Sequence, residues 1–349
     1  MTTVTQLRQL IDEQVGALPP RAVPLEQAHG CTLAETITAD SDQPALDRSA
    51  IDGFVLQAGS RVGNFQLAGE ILPGDPAPGP PHGAQALRVF TGSAVPDGCA
   101  LVMLEDTETD GARVVVRADA SEGFIRRRGG SVRAGSVLLE SGVRLGAGEI
   151  AVLASAGVEA PQVVPCPRVL HVTTGREIVS FEARPAAGQV RDTNGPLIAA
   201  LLREAGAEAL PRRHVNESIG ALVEAVRGAG DFDVLLVSGG SSVGKHDRTR
   251  EALEALGFEV LVQRVNSRPG KPLVVARQGG RWAFGLPGNP VAHFVIFHVF
   301  VARALRRLAG GAPLAPVVAR LTMDLPPATD SRETFWPARL SAAVPTSLR

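Results

Sequence analysis

After Pro167 the chain alternates short apolar runs with longer helix-like segments, and this alternation constrains the fold more than any other feature. The strand-like runs are RVLHVTT, DVLLVSG, FEVLVQRV, PLVVAR and RWAFG. The helix-like segments are NGPLIAALLREAG, ESIGALVEAVRGAG, RTREALEALG and residues 290–308. This order is typical of βαβ units, and it predicts an α/β domain with a mostly parallel, doubly wound sheet. Ligands of such sheets bind beyond the carboxyl ends of the strands, where the strand order reverses.

Length and composition set the class of protein. With 349 residues the chain is long enough for about two or three domains. Its 44% hydrophobic and 20% charged residues are typical of a soluble globular protein. A net charge of -1 provides no basic surface for nucleic acid, so no nucleic-acid partner is expected. The three cysteines are too far apart in sequence for a CxxC pair or a zinc knuckle, and a disulfide framework is not expected.

The sequence also predicts a protein that is not bound to a membrane. The N-terminus, MTTVTQLRQL, lacks the apolar core of a signal peptide, so the expected compartment is the cytoplasm. The longest apolar stretch, residues 291–305, contains two histidines and is shorter than the roughly 20 residues of a membrane span. It therefore predicts a buried helix.

Changes in amino-acid composition and hydrophobic pattern along the chain predict its domains. Residues 44–123 contain short β-like runs cut by Gly and Pro, which predicts an inserted β-rich domain. The flanking stretches 1–43 and 124–165 are predicted to join as a split N-terminal domain. The α/β domain spans residues 166–312, and residues 313–349 are predicted to form a short C-terminal β segment with strands at VVARLTMDL and around TFWPARLSA.

Two strand ends of the α/β domain carry polar, glycine-rich stretches. In TTGRE a glycine ends the strand, and Glu177 follows at the edge of the sheet. In LLVSGGSSVGKHD two glycines permit a nest of backbone N–H groups for an anion, and serines add hydroxyl donors. These residues are Ser238, Gly239, Gly240, Ser241 and Ser242. Asp247 comes next, and its alternative role is to cap the N-terminus of the following helix.

A third polar edge follows the last two strands. Arg268 and Lys271 flank the turn NSRPGKP, which suits a phosphate or another oxyanion. In GLPGNP, Gly288 precedes Asn289, a candidate N-cap, and Pro290 suits the first turn of a helix. The positive end of that helix would then lie at the same edge. Three such edges in one sheet predict a phosphate-containing ligand.

The β-rich region adds polar residues of its own. DRSAIDGF presents Asp52 beside a glycine, although an ordinary Asp-Gly turn explains the same pattern. Thr91 follows the strand-like run of RVFTGS. If Asp52, Glu177 and Asp247 converge, they form a hard oxygen site suited to Mg²⁺. Arg268 and Lys271 would hold the anion that the metal bridges.

Other conspicuous residues have ordinary explanations. His246 is predicted to be a solvated loop histidine. His293 and His298 are five positions apart on the predicted buried helix, so they do not share a face as metal ligands do, and core packing is the better interpretation. Trp282 and Trp336 are predicted to be packing residues.

An ordered series of motifs resembles the MoeA family of molybdopterin molybdenumtransferases, which is related to the E domain of gephyrin. The resemblance covers about residues 5–310 and rests on these segments: SAIDGF, RVFTGSAVPDGCALVMLED, FIRRRGGSVRAGSVLLESGVRLGAGEIAVLASAGV, HVTTGREI, GQVRDTNGPLIAALLREAG, VSGGSSVGKHD, RPGKP and GLPGNPVA. It implies an elongated chain with a split N-terminal domain, an inserted β domain, a molybdopterin-binding α/β domain and a C-terminal β domain. It also implies a homodimer.

The resemblance implies an activity and a set of residues. The family inserts molybdate into adenylylated molybdopterin with Mg²⁺-dependent loss of AMP. The Gly-Gly-Ser stretch would cradle the pterin phosphate with Asp247 as its acidic partner, and Asp52, Thr91 and Glu177 stand at functional positions of the family. The substrate's dithiolene supplies sulfur to the metal, so no cysteine cluster is needed. Molybdopterin adenylyltransferase and molybdoenzymes are the implied protein partners.

The chain departs from the family at three points. Arg176 precedes Glu177 where the family usually has an aspartate, Asn216 lies near a position that is commonly acidic, and the C-terminal domain is curtailed. Arg176 and the short C-terminus favour a non-catalytic, gephyrin-like molybdopterin carrier or scaffold as the alternative function. A molybdopterin adenylyltransferase is a further alternative, but such enzymes resemble only the α/β part. A nucleotide-binding oxidoreductase does not fit, because no strand is followed by G-x-G-x-x-G.

Overall fold

The structure is a computed structural model that describes residues 1–216, 218–239, 245–312, 317–327 and 330–340, with the backbone alone for residues 245–247. The chain divides into two compact units. The first contains residues 1–35, 142–150 and the chain from Ala160 onward, and the second contains residues 36–141 and 151–159. The predicted division into four domain segments is finer than this partition, and it stays a prediction.

The second unit is built around a six-stranded sheet. Its strands are β1 (Gly53–Gln57), β2 (Gly63–Ile71), β3 (Gln85–Val89), β4 (Cys99–Met103), β5 (Thr107–Asp110) and β6 (Arg113–Val116). In space the order is β4–β1–β3–β2–β6–β5. Only the β2–β3 pair of this sheet is parallel. All six strands lie within residues 44–123, the region predicted to be β-rich.

Both faces of this sheet are buried near β1. Phe54 and Leu56 enter one apolar cluster, and Val55 enters another on the opposite face. Successive side chains of a strand point to opposite faces, so an unbroken apolar run such as FVL is what a strand covered on both sides requires. The run FVL therefore specifies β1 as a strand that is buried on both faces.

A seven-stranded mixed sheet organises the first unit. Its strands are β7 (Arg168–Thr174), β8 (Glu208–Ala209), β9 (Arg213–Val215), β10 (Val234–Ser238), β11 (Glu259–Val262), β12 (Val274–Gln278) and β13 (Arg281–Leu286). The order is β8–β7–β10–β13–β12–β11, and β9 also pairs with β7. β7, β10 and β13 run parallel, whereas β12 is antiparallel to both of its neighbours.

Helices cover both faces of this sheet. They are α1 (Val4–Gln14), α3 (Asn194–Glu204), α4 (Ile219–Arg227), α5 (Lys245–Ala255), α6 (Pro290–Ile296) and α7 (Ala302–Leu308), with α2 (Ala147–Ser155) earlier in the chain and a π-helical turn, Phe297–Val301, between α6 and α7. Val169 and Leu236 pack in the cluster that contains α1, α3, α6 and α7. Leu170 and Leu235 pack on the other face with α4 and α5. The predicted doubly wound α/β fold is confirmed.

Short pairings complete both units. Arg21–Ala22, Gln162–Val164 and Thr32–Leu33 form a three-stranded sheet in the first unit. The two-stranded pairs are Ile37–Thr38 with Val137–Leu139, Arg48–Ser49 with Ile125–Arg126, Ile178–Val179 with Val190–Arg191, and Ser267–Arg268 with Glu333–Thr334. Single 3₁₀ turns lie at Leu25–Gln27, Leu104–Asp106 and Glu122–Phe124.

Several local predictions are wrong. α5 begins at Lys245, so His246 is not in a loop and Asp247 lies in the first turn of the helix rather than at its N-cap. Residues 317–325 form no strand, since this run pairs with no other described strand. His298 is exposed, and Trp336 is 51% exposed, so neither packs in a core.

Within the part of the chain that the structure describes, no helix combines the length and apolarity needed to cross a membrane. The apolar stretch that begins at Val291 is divided among α6, the π-helical turn and α7.

Candidate functional site

Asp52 and Thr91 meet at one end of the six-stranded sheet. Oδ1 of Asp52 accepts hydrogen bonds from the Thr91 amide at 2.7 Å and from the Thr91 hydroxyl at 2.9 Å. These two hydrogen bonds, the one from the amide first, lower the pKa of the Asp52 carboxyl. An exposed carboxylate is thus held in one orientation and in its ionised form.

Hydrogen bonds of a buried serine fix the loop that presents Thr91. Ser93 is fully buried, and its hydroxyl donates to the carbonyl of Ile71 at 2.6 Å and accepts from the Phe90 amide at 3.1 Å. Gly92 lies between them with φ of 92°, a conformation that favours glycine. The sequence Thr-Gly-Ser therefore forms a tight turn with its hydroxyls on opposite sides, one in the core and one at the surface.

Glu177 lies in the turn after β7. The turn is closed by the pairing of Ile178–Val179 with Val190–Arg191, and the Val190 amide donates to the Glu177 carbonyl at 2.8 Å. A Cβ on Gly175 would lie 3.0 Å from Oε2 of Glu177. The glycine of TTGRE therefore leaves room for this carboxylate. Arg176 is exposed, and no ion pair joins it to Glu177 in the described residues.

The predicted carboxylate site is only partly described. Asp52 belongs to the second unit and Glu177 to the first. The side chain of Asp247 lies outside the described residues. In the described residues no group of three or more His, Cys, Asp or Glu side chains is arranged to hold a metal. Convergence of the three carboxylates stays a prediction.

Ser238, which was predicted as a hydroxyl donor to a phosphate, is buried. It ends β10 and is 2% exposed. Its Oγ lies 2.7 Å from Nε2 of His171 and 2.7 Å from Nε2 of His293. The single hydroxyl proton is shared with these two buried partners, so in this arrangement Ser238 does not donate to a phosphate, and its predicted role in ligand binding stays a prediction.

The two histidines are uncharged at neutral pH. Burial lowers the pKa of His171 to about 3, and the nearby His293 and Arg212 act in the same direction. Burial also lowers the pKa of His293 to about 4, against the smaller opposing effects of its hydrogen bond to Asn289 and of Asp192. Both imidazoles can therefore act as neutral hydrogen-bonding groups in the core.

Only the beginning of the predicted anion nest lies in the described residues. Gly239 donates its amide to the Leu286 carbonyl at 3.4 Å, so this N–H points into the sheet. Gly240, Ser241 and Ser242 lie outside the described residues. Their predicted binding of the pterin phosphate stays a prediction.

Asn289 is the N-cap of α6, as predicted. Its Oδ1 accepts from the amides of Val291 at 2.8 Å and Ala292 at 3.3 Å, and Pro290 occupies the first turn. The carbonyl of Gly288 accepts from Nδ2 of Asn194 at 2.9 Å. Two early amides of the helix are therefore satisfied within the protein, and ligand binding by Gly288 and Asn289 stays a prediction.

Arg268, one of the two predicted anion-binding cations, contacts the C-terminal segment. Nη1 of Arg268 is 3.8 Å from Oδ2 of Asp330, and the Arg268 carbonyl accepts from the Phe335 amide at 2.8 Å. Lys271 is exposed. The turn after Arg268 is thus anchored by backbone pairing to Glu333–Thr334, while Lys271 stays accessible to an anion.

The structure adds polar residues that sequence reasoning missed. Asp192, 6% exposed, pairs with Nη1 of Arg212 at 2.9 Å and accepts from the Gly195 amide at 2.8 Å. Asn194 is buried, and its Oδ1 has no hydrogen-bond partner. The signal available in the sequence was the polar triplet DTN directly before an apolar helix, and a histidine inside the otherwise apolar run RVLHV.

Comparison with known proteins places these residues in a family. Residues 2–157 match the model described as "MoeA N-terminal region (domain I and II)", and residues 171–307 match "Probable molybdopterin binding domain". A molybdopterin molybdenumtransferase of Staphylococcus aureus (strain Mu50) is 31% identical over 330 residues, which cover 92% of this chain and 79% of the relative. The chain belongs to the MoeA family. This confirms the predicted resemblance and the transferase class.

Other members of the MoeA family agree with the assignment. The molybdopterin molybdenumtransferase of Staphylococcus epidermidis (strain RP62A) is 30% identical, with 86% of this chain and 74% of the relative covered. Two crystal structures of MoeA proteins from Pyrococcus horikoshii match with a TM-score of 0.68. The first is 25% identical and covers 88% of this chain and 81% of its own; the second, 23% identical, supports the fold alone.

Proposed function

We propose that this MoeA-family chain inserts molybdate into adenylylated molybdopterin, with Mg²⁺-dependent release of AMP. The observation that carries the proposal is the 31% identity to a molybdopterin molybdenumtransferase across 92% of the chain, which includes both matched regions. The fixed and ionised Asp52 carboxylate supports it from the chemistry of the site. In this proposal molybdate is a substrate, and molybdopterin is supplied as its adenylylated form.

Asp52 fits the requirements of a magnesium ligand. Both hydrogen bonds from Thr91 go to Oδ1, and no described residue donates to Oδ2. Mg²⁺ prefers hard oxygen ligands and is commonly held by one or two carboxylates together with substrate phosphates. We therefore propose Asp52 as the residue of the second unit that would hold Mg²⁺, and the family resemblance adds Glu177 and Asp247 as candidate ligands in the first unit. When bound, the ion neutralises charge on the phosphate oxygens.

The chain's own residues supply the remaining interactions of the proposed site. Thr91 orients Asp52 through its amide and hydroxyl. Lys271 and Arg268 are the cations assigned to molybdate or phosphate oxygens, because ammonium and guanidinium groups are strong donors to oxyanions. Residues 239–242 and 288–289 are the backbone stretches assigned to the pterin phosphate.

A charge-removing substitution at Asp52 tests the proposal. Asp52→Asn keeps an oxygen that accepts both hydrogen bonds from Thr91, so the loop should stay folded while the negative charge is lost. We expect AMP release and molybdenum incorporation to fall by about 100-fold or more. Both are measured with adenylylated molybdopterin, molybdate and Mg²⁺, and Glu177→Gln and Asp247→Asn are assayed in parallel.

Asp119→Asn is the matched control, because it removes the charge of another exposed carboxylate in the same unit that is not assigned to the site. Oδ2 of Asp119 lies 2.8 Å from Nη1 of Arg61. Its turnover should stay within about twofold of the unmodified protein. Full activity in Asp52→Asn would remove Asp52 from the site. Metal-independent turnover in the unmodified protein would contradict the role of Mg²⁺.

One observation favours a second function, that of a molybdopterin carrier or scaffold. Arg176 is exposed beside Glu177 and places a positive charge next to a carboxylate assigned to a cation. Tight binding of adenylylated molybdopterin without AMP release by the unmodified protein would establish the carrier and overturn the transferase. Recovery of turnover in Arg176→Asp would assign the difference to this residue.

The proposal extends to assembly and partners. A homodimer, delivery of the adenylylated substrate by molybdopterin adenylyltransferase, and transfer of the product to molybdoenzymes follow from the family resemblance. Sedimentation of the purified chain tests the first of these.

A further inference from the structure

A chain of buried hydrogen bonds crosses the first unit from β7 to α6. His171 is 4% exposed, Ser238 is 2% and His293 is 0%. Both ring contacts to the serine are 2.7 Å, and Nδ1 of His293 lies 3.2 Å from the carbonyl of Asn289. Three polar side chains in an apolar core are costly unless each is bonded, and here each is.

The direction of every bond in this chain follows from one contact. A carbonyl only accepts, so Nδ1 of His293 carries the proton that faces Asn289. A neutral imidazole has only one N–H, so Nε2 of His293 is unprotonated and accepts a hydrogen bond from the hydroxyl of Ser238. Ser238 then accepts from Nε2 of His171, which must carry its proton there. The two histidines are therefore opposite tautomers.

This chain joins elements that are far apart in sequence. His171 lies on β7, Ser238 ends β10 directly before Gly239, and His293 bonds the carbonyl of the residue that caps α6. From the other side, Asn194 at the start of α3 holds the carbonyl of Gly288. The backbone at Gly288 and Asn289 is thus bonded on two sides, and one of these bonds runs through the end of β10.

We propose that His171, Ser238 and His293 are positioning residues that hold the Gly288–Asn289 backbone in a fixed position relative to the end of β10 at Ser238 and Gly239. This positioning role rests on the proposed function in one respect, namely that residues 239–242 and 288–289 bind the pterin substrate. The residues touch no substrate themselves, because all three are buried beneath the backbone that they hold.

Simple packing would not need this arrangement. An apolar residue at each position would fill the same space without requiring fixed tautomers or an oriented hydroxyl. A neutral, singly determined hydrogen-bond chain instead specifies one relative position for the elements that it joins. The uncharged state of both imidazoles, which burial enforces, is a condition for this chain.

Histidine tautomers test the inference without any substitution. In nitrogen-15-labelled protein at neutral pH, we expect His293 protonated at Nδ1 and His171 at Nε2. The same tautomer at both residues, or a charged imidazole at either, would overturn the proposal.

Ser238→Ala tests the positioning. Amide exchange at Val291 and Ala292, the two groups capped by Asn289, should accelerate by about tenfold, and the dissociation constant for adenylylated molybdopterin should rise by about tenfold. Ser267→Ala is the control: Ser267 is 1% exposed, but its hydroxyl has no partner, so it removes a buried serine without breaking a bond. Unchanged exchange in Ser238→Ala would overturn the inference.

The readouts separate this inference from the proposed function. Exchange and tautomers are measured without substrate and decide the positioning role. Failure of the unmodified protein to bind adenylylated molybdopterin would instead overturn the proposed function. Equal substrate affinity in Ser238→Ala and Ser267→Ala, with accelerated exchange, would refute the link between the hydrogen-bond chain and binding.

An independent observation concerns two cysteines. Sγ of Cys31 lies 3.9 Å from Sγ of Cys166. Thr32, next to Cys31, pairs with Val164 in an antiparallel ladder, so neighbouring backbone holds the thiols together. Cys31 is 5% exposed, whereas Cys166 is half-buried and thus reachable from solvent.

We infer that Cys31 and Cys166 are an oxidation site at which a peroxide forms a disulfide. One thiolate attacks a peroxide oxygen and breaks the O–O bond, giving a sulfenic acid and hydroxide, and the hydroxide takes up the proton that the thiol had released and becomes water. The second thiol then displaces this oxygen as water, so that two thiols lose two electrons and one hydrogen peroxide becomes two waters. The hydrogen bond with Cys166, together with the charges of Arg21 and Arg144, lowers the pKa of Cys31 to about 6 and favours its thiolate.

Mass spectrometry after stoichiometric hydrogen peroxide tests this site. We expect the intact mass to fall by two hydrogen atoms, a cross-linked peptide containing Cys31 and Cys166, and reversal by a thiol reductant. Cys99 is the internal control, because it is buried with its pKa raised by burial and should stay reduced. In Cys166→Ser, neither the cross-linked peptide nor the loss of two hydrogen atoms should appear. Equal oxidation of Cys99, or no cross-link, would overturn the assignment.

Discussion

Replacing Gly53 by alanine is expected to lower the free energy of unfolding of the six-stranded sheet by about 3 kcal/mol. A Cβ at this position would lie 2.0 Å from the carbonyl oxygen of Val102 and 3.2 Å from the amide of Leu104. Both are backbone atoms of the neighbouring chain segment, so they cannot move aside without breaking the β1–β4 pairing. Urea unfolding monitored by circular dichroism measures the loss.

Gly63→Ala is the matched control in the same sheet. The nearest atom to its new Cβ is 3.8 Å away, at the edge of the Phe65 ring, and its φ is not positive. Its stability should stay within about 0.5 kcal/mol of the unmodified protein. Equal midpoints for the two variants would show that β1 and β4 are not packed as closely as described. Because Asp52 directly precedes Gly53, Gly53→Ala should also weaken AMP release.

Lowering the pH from 8 to 5 should reduce the free energy of unfolding by about 4 kcal/mol through His171 and His293. In the unfolded chain both rings titrate near pH 6.5, whereas in the folded protein their pKa values are about 3 and about 4. Between these limits only the unfolded state takes up protons. The full stability is therefore present above pH 6.5, and it is progressively lost as the pH falls towards about 4 for His293 and about 3 for His171.

A single substitution isolates this effect from the titration of carboxylates. His171→Leu replaces one titrating ring by an apolar side chain of similar size. The free energy of unfolding of this variant should therefore fall by only about 2 kcal/mol over the same pH interval. His298→Gln, which replaces an exposed histidine of the helical stretch that contains α6, should keep the pH dependence of the unmodified protein. Urea unfolding of the three proteins at pH 8 and pH 5 makes the comparison. Identical pH dependence in all three would contradict the buried, neutral imidazoles.

Much of the α/β fold could be predicted because its strands are nearly continuous apolar runs. β7 and β10 are covered on both faces, so their sequences carry the pattern of a buried strand without reference to the rest of the chain. The N-cap at Asn289 was equally predictable, because the Asn289 side chain accepts from backbone amides only two and three positions further along the chain. Helix ends, strands and the family motifs are properties of short segments.

The surroundings of several other residues could not be predicted from short segments. Ser238 was predicted to face a ligand because it adjoins glycines and serines, but its surroundings are set by histidines 67 and 55 positions away. His298 and Trp336 are exposed because the helix and the C-terminal segment present them to solvent, which no local pattern records. The meeting of Asp52 with Thr91, 39 positions apart, was likewise beyond sequence spacing alone.

The three-stranded sheet of the first unit has a consequence for the order in which the chain folds. Its strands Arg21–Ala22 and Thr32–Leu33 are synthesised well before their common partner, Gln162–Val164. The six-stranded sheet, by contrast, is contiguous between Gly53 and Val116. All strands of the six-stranded sheet can therefore pair before residues 162–164 have been synthesised. The strands Arg21–Ala22 and Thr32–Leu33 therefore stay unpaired during the synthesis of more than a hundred residues, and over that interval their open edges can pair with other chains.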